Sequence, residues 1–405
     1  MVAAAAVVLV AVLLAMGSHV VAWADTAAPL PADQQGCLGA PTSSDSEVPW
    51  GVKQLAPSRV WPFTTGSGIT VGVVDTGVDA HTPQLAGRVL VGADLVNPGG
   101  GPGNVDCYGH GTFVAGIVAA APASGTGFTG VAPGAQVLPI RIANNGGDVT
   151  SAALANGIRA AVDGGARVIN VSASTTVPDA ALASAVDYAE AHDVVLIASA
   201  ANSAKAGDPV TYPASYPTVI AVGAIDSNGQ RADFSQTGPY LGLVAPGVNV
   251  VSVGPNGPGQ WQGSGTSYAA PFVAGTAALV RAYHPGLTAA QVRHRLETTA
   301  DHPAAKMPDE QYGWGVVNLQ AAVTAVLPTE GASGKTVGAS AVRPPVVTPS
   351  DELGPILAMV GVGIAAVLVF VLWLSVRFGP AAMRRRWRPA RTVMVKPLSN
   401  GGDRQ

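Results

Sequence analysis

Cysteine is nearly missing from this chain, with two in 405 residues, and only 12% of the side chains are charged and 5% aromatic. Two thiols, Cys37 and Cys107, are too few for a three- or four-cysteine metal site. No clustered acidic loop of the EF-hand kind occurs either, so no metal site and no cofactor are expected. Internal repeats are absent, which removes repeat architectures. Basic residues are scarce outside the carboxyl end. Setting aside the eight basic and one acidic residues of 377–405 from totals of 22 and 25 leaves a net charge of -10 before residue 377. So acidic a body argues against nucleic acid as a partner.

Two long apolar runs, one near each end of the chain, carry no charged residue. Residues 1–24 are almost wholly apolar and end Ala22-Trp23-Ala24, an A-x-A cleavage pattern that reads as a secretory signal peptide. A basic start is missing, so an uncleaved anchor stays open as the alternative. The second stretch, 355–376, is long enough to cross a hydrocarbon core as a transmembrane helix. Arg377, Arg384, Arg385, Arg386, Arg388, Arg391, Lys396 and Arg404 follow it against Asp403 alone. The positive-inside rule then makes 377–405 a cytoplasmic tail and puts everything before the helix outside the cytoplasmic membrane. Between these ends lie a short polar extension (25–48), a globular domain (49–327) and a linker rich in Pro, Gly and Ser (328–354).

Within the globular domain short apolar runs alternate with longer small-residue segments. Strands are expected at 69–74, 137–142, 167–171, 194–198 and 219–224, and helices at 110–121, 151–163, 179–191, 267–283 and 288–299. This alternation predicts an α/β fold with a mostly parallel sheet and helices on both faces, a three-layer domain. Ligands of such sheets bind beyond the carboxyl ends of the strands.

Three motifs fall at those places. Gly265-Thr266-Ser267-Tyr268-Ala269-Ala270-Pro271 puts a serine at a tight turn where a helix begins, Gly109-His110-Gly111-Thr112 heads another helix, and Val73-Val74-Asp75-Thr76-Gly77 ends an apolar strand. Taken singly, each is an ordinary cap or turn. Together they supply one chemistry. A serine hydroxyl is a poor nucleophile until a neutral imidazole accepts its proton, and a carboxylate must fix that imidazole's tautomer. The Gly-x-Ser-x-Gly elbow and Ser-Asp-His order of lipases and esterases are absent at this site.

The order Asp75, His110, Ser267 is that of subtilisins, and residues 49–326 resemble that family. The resemblance implies a catalytic triad of these three residues in a serine endopeptidase. After the run 194–198, Ser199-Ala200-Ala201-Asn202 resembles the segment that carries the oxyanion-hole asparagine, which implies that role for Asn202; the family usually has glycine where Ala201 stands. The stretch 168–172 is similar to the strand lining the substrate cleft, with Ser172 to Thr175 at the wall facing the side chain before the scissile bond. Ser174 and Thr175 replace the glycines of many relatives, and their side chains are expected to narrow the cleft in favour of small residues.

In an oxidising exterior Cys37 and Cys107 read as a disulfide; a metal pair of Cys107 with His110, or two free thiols, are the alternatives. The extension is too short for the folded inhibitory prodomain of typical subtilisins. Signal, cysteine-bearing extension, subtilisin-like domain, Pro-rich linker, one membrane helix and basic tail together resemble the mycosins, membrane-anchored proteases of type VII secretion systems. That implies protein or peptide substrates in transit, type VII secretion membrane components as partners, and a second, structural role as a scaffold of the membrane complex.

Overall fold

The computed structural model describes residues 27–31, 36–144, 149–304 and 306–330. The signal peptide, the linker beyond residue 330, the apolar span 355–376 and the basic tail lie outside the described residues. Among the described residues no helix is long and apolar enough to cross a membrane.

The strands are β1 (Ala28–Pro29), β2 (Thr70–Asp75), β3 (Ala93–Asp94), β4 (Gln136–Arg141), β5 (Val168–Val171), β6 (Val195–Ser199), β7 (Ile220–Ile225), β8 (Leu241–Pro246), β9 (Val250–Val253) and β10 (Gln260–Gly263). The helices are α1 (Trp50–Leu55), α2 (His110–Ala119), α3 (Ser151–Asp163), α4 (Ala180–Ala191), α5 (Thr266–Tyr283), α6 (Ala289–Thr298) and α7 (Leu319–Thr324). Seven strands pair in the order β3-β4-β2-β5-β6-β7-β8, every pairing parallel. Alternation along each strand feeds two cores. Val71, Val73, Val168, Val195 and Ile197 join the core under α2 and α5, whereas Val74, Ile169, Leu196 and Ala198 join the one under α3 and α4. Burial on both faces explains why these strands read as unbroken apolar runs.

Differences from the expected boundaries have local causes. Asp179 and Thr288 are caps rather than first helical residues: their side chains accept the backbone N–H groups of Leu182 and Gln291. The helix α2 stops at Ala119 instead of running to residue 121, because the Ala120 carbonyl is taken by the Gly130 N–H and the Ala121 N–H turns to the Gln84 carbonyl. The strand β8 is not apparent from sequence, since Gly242 interrupts it and Pro246 ends it.

The strand β2 lies between β4 and β5: the chain leaves it toward β3 and β4 on one side, then crosses from β4 to β5 on the other. This is the switch point at which α/β sheets open a crevice at their carboxyl ends. Asp75 closes β2 there, and the segments following β5 and β6 emerge at the same edge.

The extension is woven into the domain. The strand β1 pairs in parallel with β10, which in turn pairs with β9, and further on the Leu38 N–H donates to the Cys107 carbonyl at 2.7 Å. Cys37 and Cys107 are joined by a disulfide spanning 70 residues of sequence, with Cα atoms 4.4 Å apart. That bond removes the metal-pair and free-thiol alternatives. Closing a loop of this size stabilises the fold by about 4 kcal/mol in the chain-entropy model. Replacing both cysteines with alanine is expected to lower unfolding free energy by that order, read from urea melts at matched m-values; an unchanged midpoint would contradict the assignment.

Candidate active site

The His110 Nδ1 lies 2.7 Å from Asp75 Oδ1. A carboxylate only accepts, so Nδ1 carries the shared proton and the neutral ring keeps Nε2 as its acceptor. The pair is held from behind. The Asp75 Oδ1 also accepts the Thr76 N–H at 2.8 Å, and the Thr76 hydroxyl accepts the Gly111 N–H at 2.9 Å, tying the end of β2 to the start of α2.

Behind this sits Asp106, which sequence reading passed over. Its Oδ1 accepts from the Thr76 hydroxyl, the Tyr108 N–H and the Gly109 N–H, and its Oδ2 from the Thr112 N–H and hydroxyl, all at 2.7–3.0 Å. Five donors converge on one buried carboxylate, which takes up the Thr112 amide in the first turn of α2, fixes the turn before it and holds Thr76 at once. The sequence signal was an Asp four residues before the histidine, indistinguishable there from a common turn residue. Burial pushes the Asp106 carboxyl up from its ordinary value, against the pull of the hydrogen bonds from Gly109, Thr112 and Tyr108.

Ser267 is the second residue of α5, with little exposure. Its neighbour Tyr268 packs its ring against His110 at 5.2 Å between centroids and against Phe113 at 4.5 Å, which brings the start of α5 to the imidazole. No hydrogen bond joins Ser267 Oγ to His110 among the described residues. Such bonds are commonly long in free enzymes and tighten with substrate.

Asn202 is exposed, and its Oδ1 accepts from the Thr266 N–H at 2.8 Å and the Thr266 hydroxyl at 2.9 Å. Both bonds go to the oxygen, so the amide nitrogen is turned outward as a free donor. A Cβ built on Gly265 would stand 3.0 Å from Ser267 Oγ and 3.4 Å from Asn202 Nδ2, so the two groups border the same small space. Ala201 stands at φ 81°, in the left-handed region, where an alanine costs about 1 kcal/mol. The backbone therefore takes the glycine-like course without the glycine.

The expected cleft residues divide. Ser172 is buried, and its hydroxyl donates to the Ser267 carbonyl at 2.8 Å, so its side chain serves the serine turn rather than the cleft wall. Ser174 and Thr175 are half-buried, and Thr175 exchanges two backbone hydrogen bonds with Tyr212, at 3.0 and 2.8 Å.

Residues 66–315 match the model of the Subtilase family. The chain belongs to that family. It is 36% identical to mycosin-3 of Mycobacterium tuberculosis, the match covering 87% of this chain and 86% of that one, and 41% identical to subtilisin DY of Bacillus licheniformis over 68% and 98%. Among solved structures, the MycP3 protease from the type VII (ESX-3) secretion system superposes with a TM-score of 0.64 at 35% identity, over 74% of this chain and 97% of that one. This subtilase is thus a subtilisin-like serine peptidase related to the mycosins.

The environment of His110 has a measurable consequence. Burial opposes a charged ring, but the Asp75 charge and hydrogen bond, with the Asp106 charge behind them, outweigh it and hold the imidazole above its ordinary 6.5. A group with a raised value stays protonated to higher pH. Titration of the His110 ring protons by NMR is therefore expected to show a midpoint above 6.5, moving down in Asp75→Asn and, by less, in Asp106→Asn. A midpoint unmoved by Asp75→Asn would contradict this electrostatic account.

Proposed function

We propose that this chain is a membrane-anchored serine endopeptidase acting outside the cytoplasmic membrane on proteins in transit through a type VII secretion system. The observation that carries the catalytic part is the Asp75–His110 bond at 2.7 Å, with Tyr268 packed on that imidazole and its neighbour Ser267 bordering one small space with Asn202 Nδ2. Ser267 Oγ attacks the scissile carbonyl carbon while His110 Nε2 takes its proton, and Asp75 stabilises the imidazolium that forms. Charge then gathers on the former carbonyl oxygen. Asn202 Nδ2 and the Ser267 N–H donate to it, a single such donor contributing about 3 kcal/mol. His110 passes its proton to the departing amine as the C–N bond breaks; water, deprotonated by the same imidazole, then attacks the acyl carbon, and the imidazolium returns that proton to Ser267 Oγ as the ester bond breaks.

Support for the setting comes from the uncharged span 355–376 with its basic flank, the signal-like start, and the relationship to mycosin-3. The cytoplasmic membrane and the type VII membrane components are the partners in this reading. At the cleft, Ser174 and Thr175 carry side chains where glycines would leave room, which favours substrates with small residues before the scissile bond.

Fluorophosphonate labelling tests the nucleophile: the wild type is expected to label and Ser267→Ala not to, whereas equal labelling would refute the assignment. Asn202→Ala is expected to lower kcat by about 100- to 1,000-fold. Proteins exported by cells carrying Ser267→Ala should accumulate uncleaved. A peptide-library profile dominated by large aromatic or basic residues at the first subsite would reject the narrowed cleft.

A further inference from the structure

The carbonyl of Ser267 sits in the first turn of α5, where it is due to accept the N–H four residues on. That residue is Pro271, which has no N–H to give. The deficit falls on the nucleophile's own peptide. The hydroxyl of Ser172, arriving from the end of β5, donates to this carbonyl at 2.8 Å.

A serine hydroxyl has one proton and is free to aim it elsewhere. Here it is aimed by Asn170, a fully buried residue of β5, whose Nδ2 donates to Ser172 Oγ at 2.8 Å. With its oxygen accepting from the amide, the hydroxyl is left to donate onward to Ser267. All three groups are buried, so no solvent molecule is needed to direct the proton, and a strand of the sheet is linked to the turn that carries the serine.

We propose that Asn170 and Ser172 are positioning residues for Ser267, supplying from β5 the hydrogen bond that Pro271 withholds and so fixing the turn on which the hydroxyl and the Ser267 N–H are mounted. Both the nucleophile and one oxyanion donor belong to that turn. Misplacing it therefore affects the chemical step, whereas a side chain that merely lined the cleft would act on substrate binding. The proposal rests on Ser267 being the nucleophile.

A double-mutant cycle in the full-length, membrane-anchored protein tests it. With a peptide substrate, Ser172→Ala is expected to lower kcat about tenfold with KM within about twofold of the wild type, and Ser172→Thr, which keeps the hydroxyl, to recover most of kcat. In a Pro271→Ala background the new alanine N–H reaches the Ser267 carbonyl, and the effect of Ser172→Ala on kcat is expected to shrink below about twofold. An equal loss in both backgrounds, or a Ser172→Ala enzyme changed only in KM, overturns the proposal. Should Pro271→Ala fail to fold, the comparison of Ser172→Ala with Ser172→Thr decides it: equal losses overturn it. A Ser172→Ala enzyme with full kcat, in a protein that Ser267→Ala silences, counts against the relay alone and leaves the nucleophile standing.

Discussion

The site depends on how closely the start of α2 approaches the end of β2. A Cβ on Gly111 would lie 2.0 Å from the Gly77 carbonyl oxygen, and one on Gly77 would lie 2.1 Å from the Val105 carbonyl oxygen, contacts that only glycine permits. Gly77 also adopts φ 101°, which side-chain-bearing residues avoid. This approach is what lets a carboxylate on a strand reach an imidazole on a helix without either leaving its element. Thr76 and Asp106 then lock it with hydrogen bonds rather than apolar contact, and hydrogen bonds carry direction. The histidine thus receives an orientation as well as a location.

The serine reaches the same point by a different route. The helix α5 is buried from Thr266 to Arg281, apolar and small-sided around its whole circumference, as befits a helix running through the core. It is held at both ends. At the start, Thr266 is bound to Asn202; toward the far end, the buried Arg281 guanidinium donates to Asp193 and to the Leu287 carbonyl, both at 2.9 Å. A buried arginine is costly unless paired, and this one is paired to a turn that itself precedes β6. Ser267 and Asn202 are consequently referenced to one strand: Asn202 through the segment after β6, and α5 through Asp193 before it.

Asp75, His110 and Ser267 were legible in the sequence because each is a chemically distinctive side chain within two residues of a glycine at an element boundary. The order of the motifs then tied them together. Asn202 was legible through the apolar run of β6 preceding it, though not the strain at Ala201. The supporting residues were not legible. Asp106, Thr76, Thr266 and Asn170 belong to types that occur as caps and turn residues throughout the chain. Asp106, Thr76 and Thr266 are distinguished by partners 30 to 65 residues away in sequence, such as Asp106 with Thr76 and Thr266 with Ala201, and Asn170 by passing through Ser172 to Ser267. The bond from the Ser172 hydroxyl to the Ser267 carbonyl was not legible either, since alternation assigns a face in the interior of a strand but not after it ends.

The extension bears on the placement of His110 through the same support. Leu38 is buried, and a Cβ on Gly109 would stand 2.5 Å from its Cδ2, so the extension presses on the residue before His110. Asn256 Nδ2 donates to the Leu38 carbonyl at 2.7 Å, and the Asn256 N–H donates to Asp79. The disulfide fastens Cys107, one residue from Asp106. Extension, disulfide and buried carboxylate therefore bear on one turn, residues 106–109, and that turn delivers the histidine. A segment that covers the edge of β10, fills the surface beside Gly109 and anchors this turn has become part of the domain's framework. Loosening it exposes apolar surface and frees the Asp106 turn together, so stability and the placement of His110 are coupled through the same few residues.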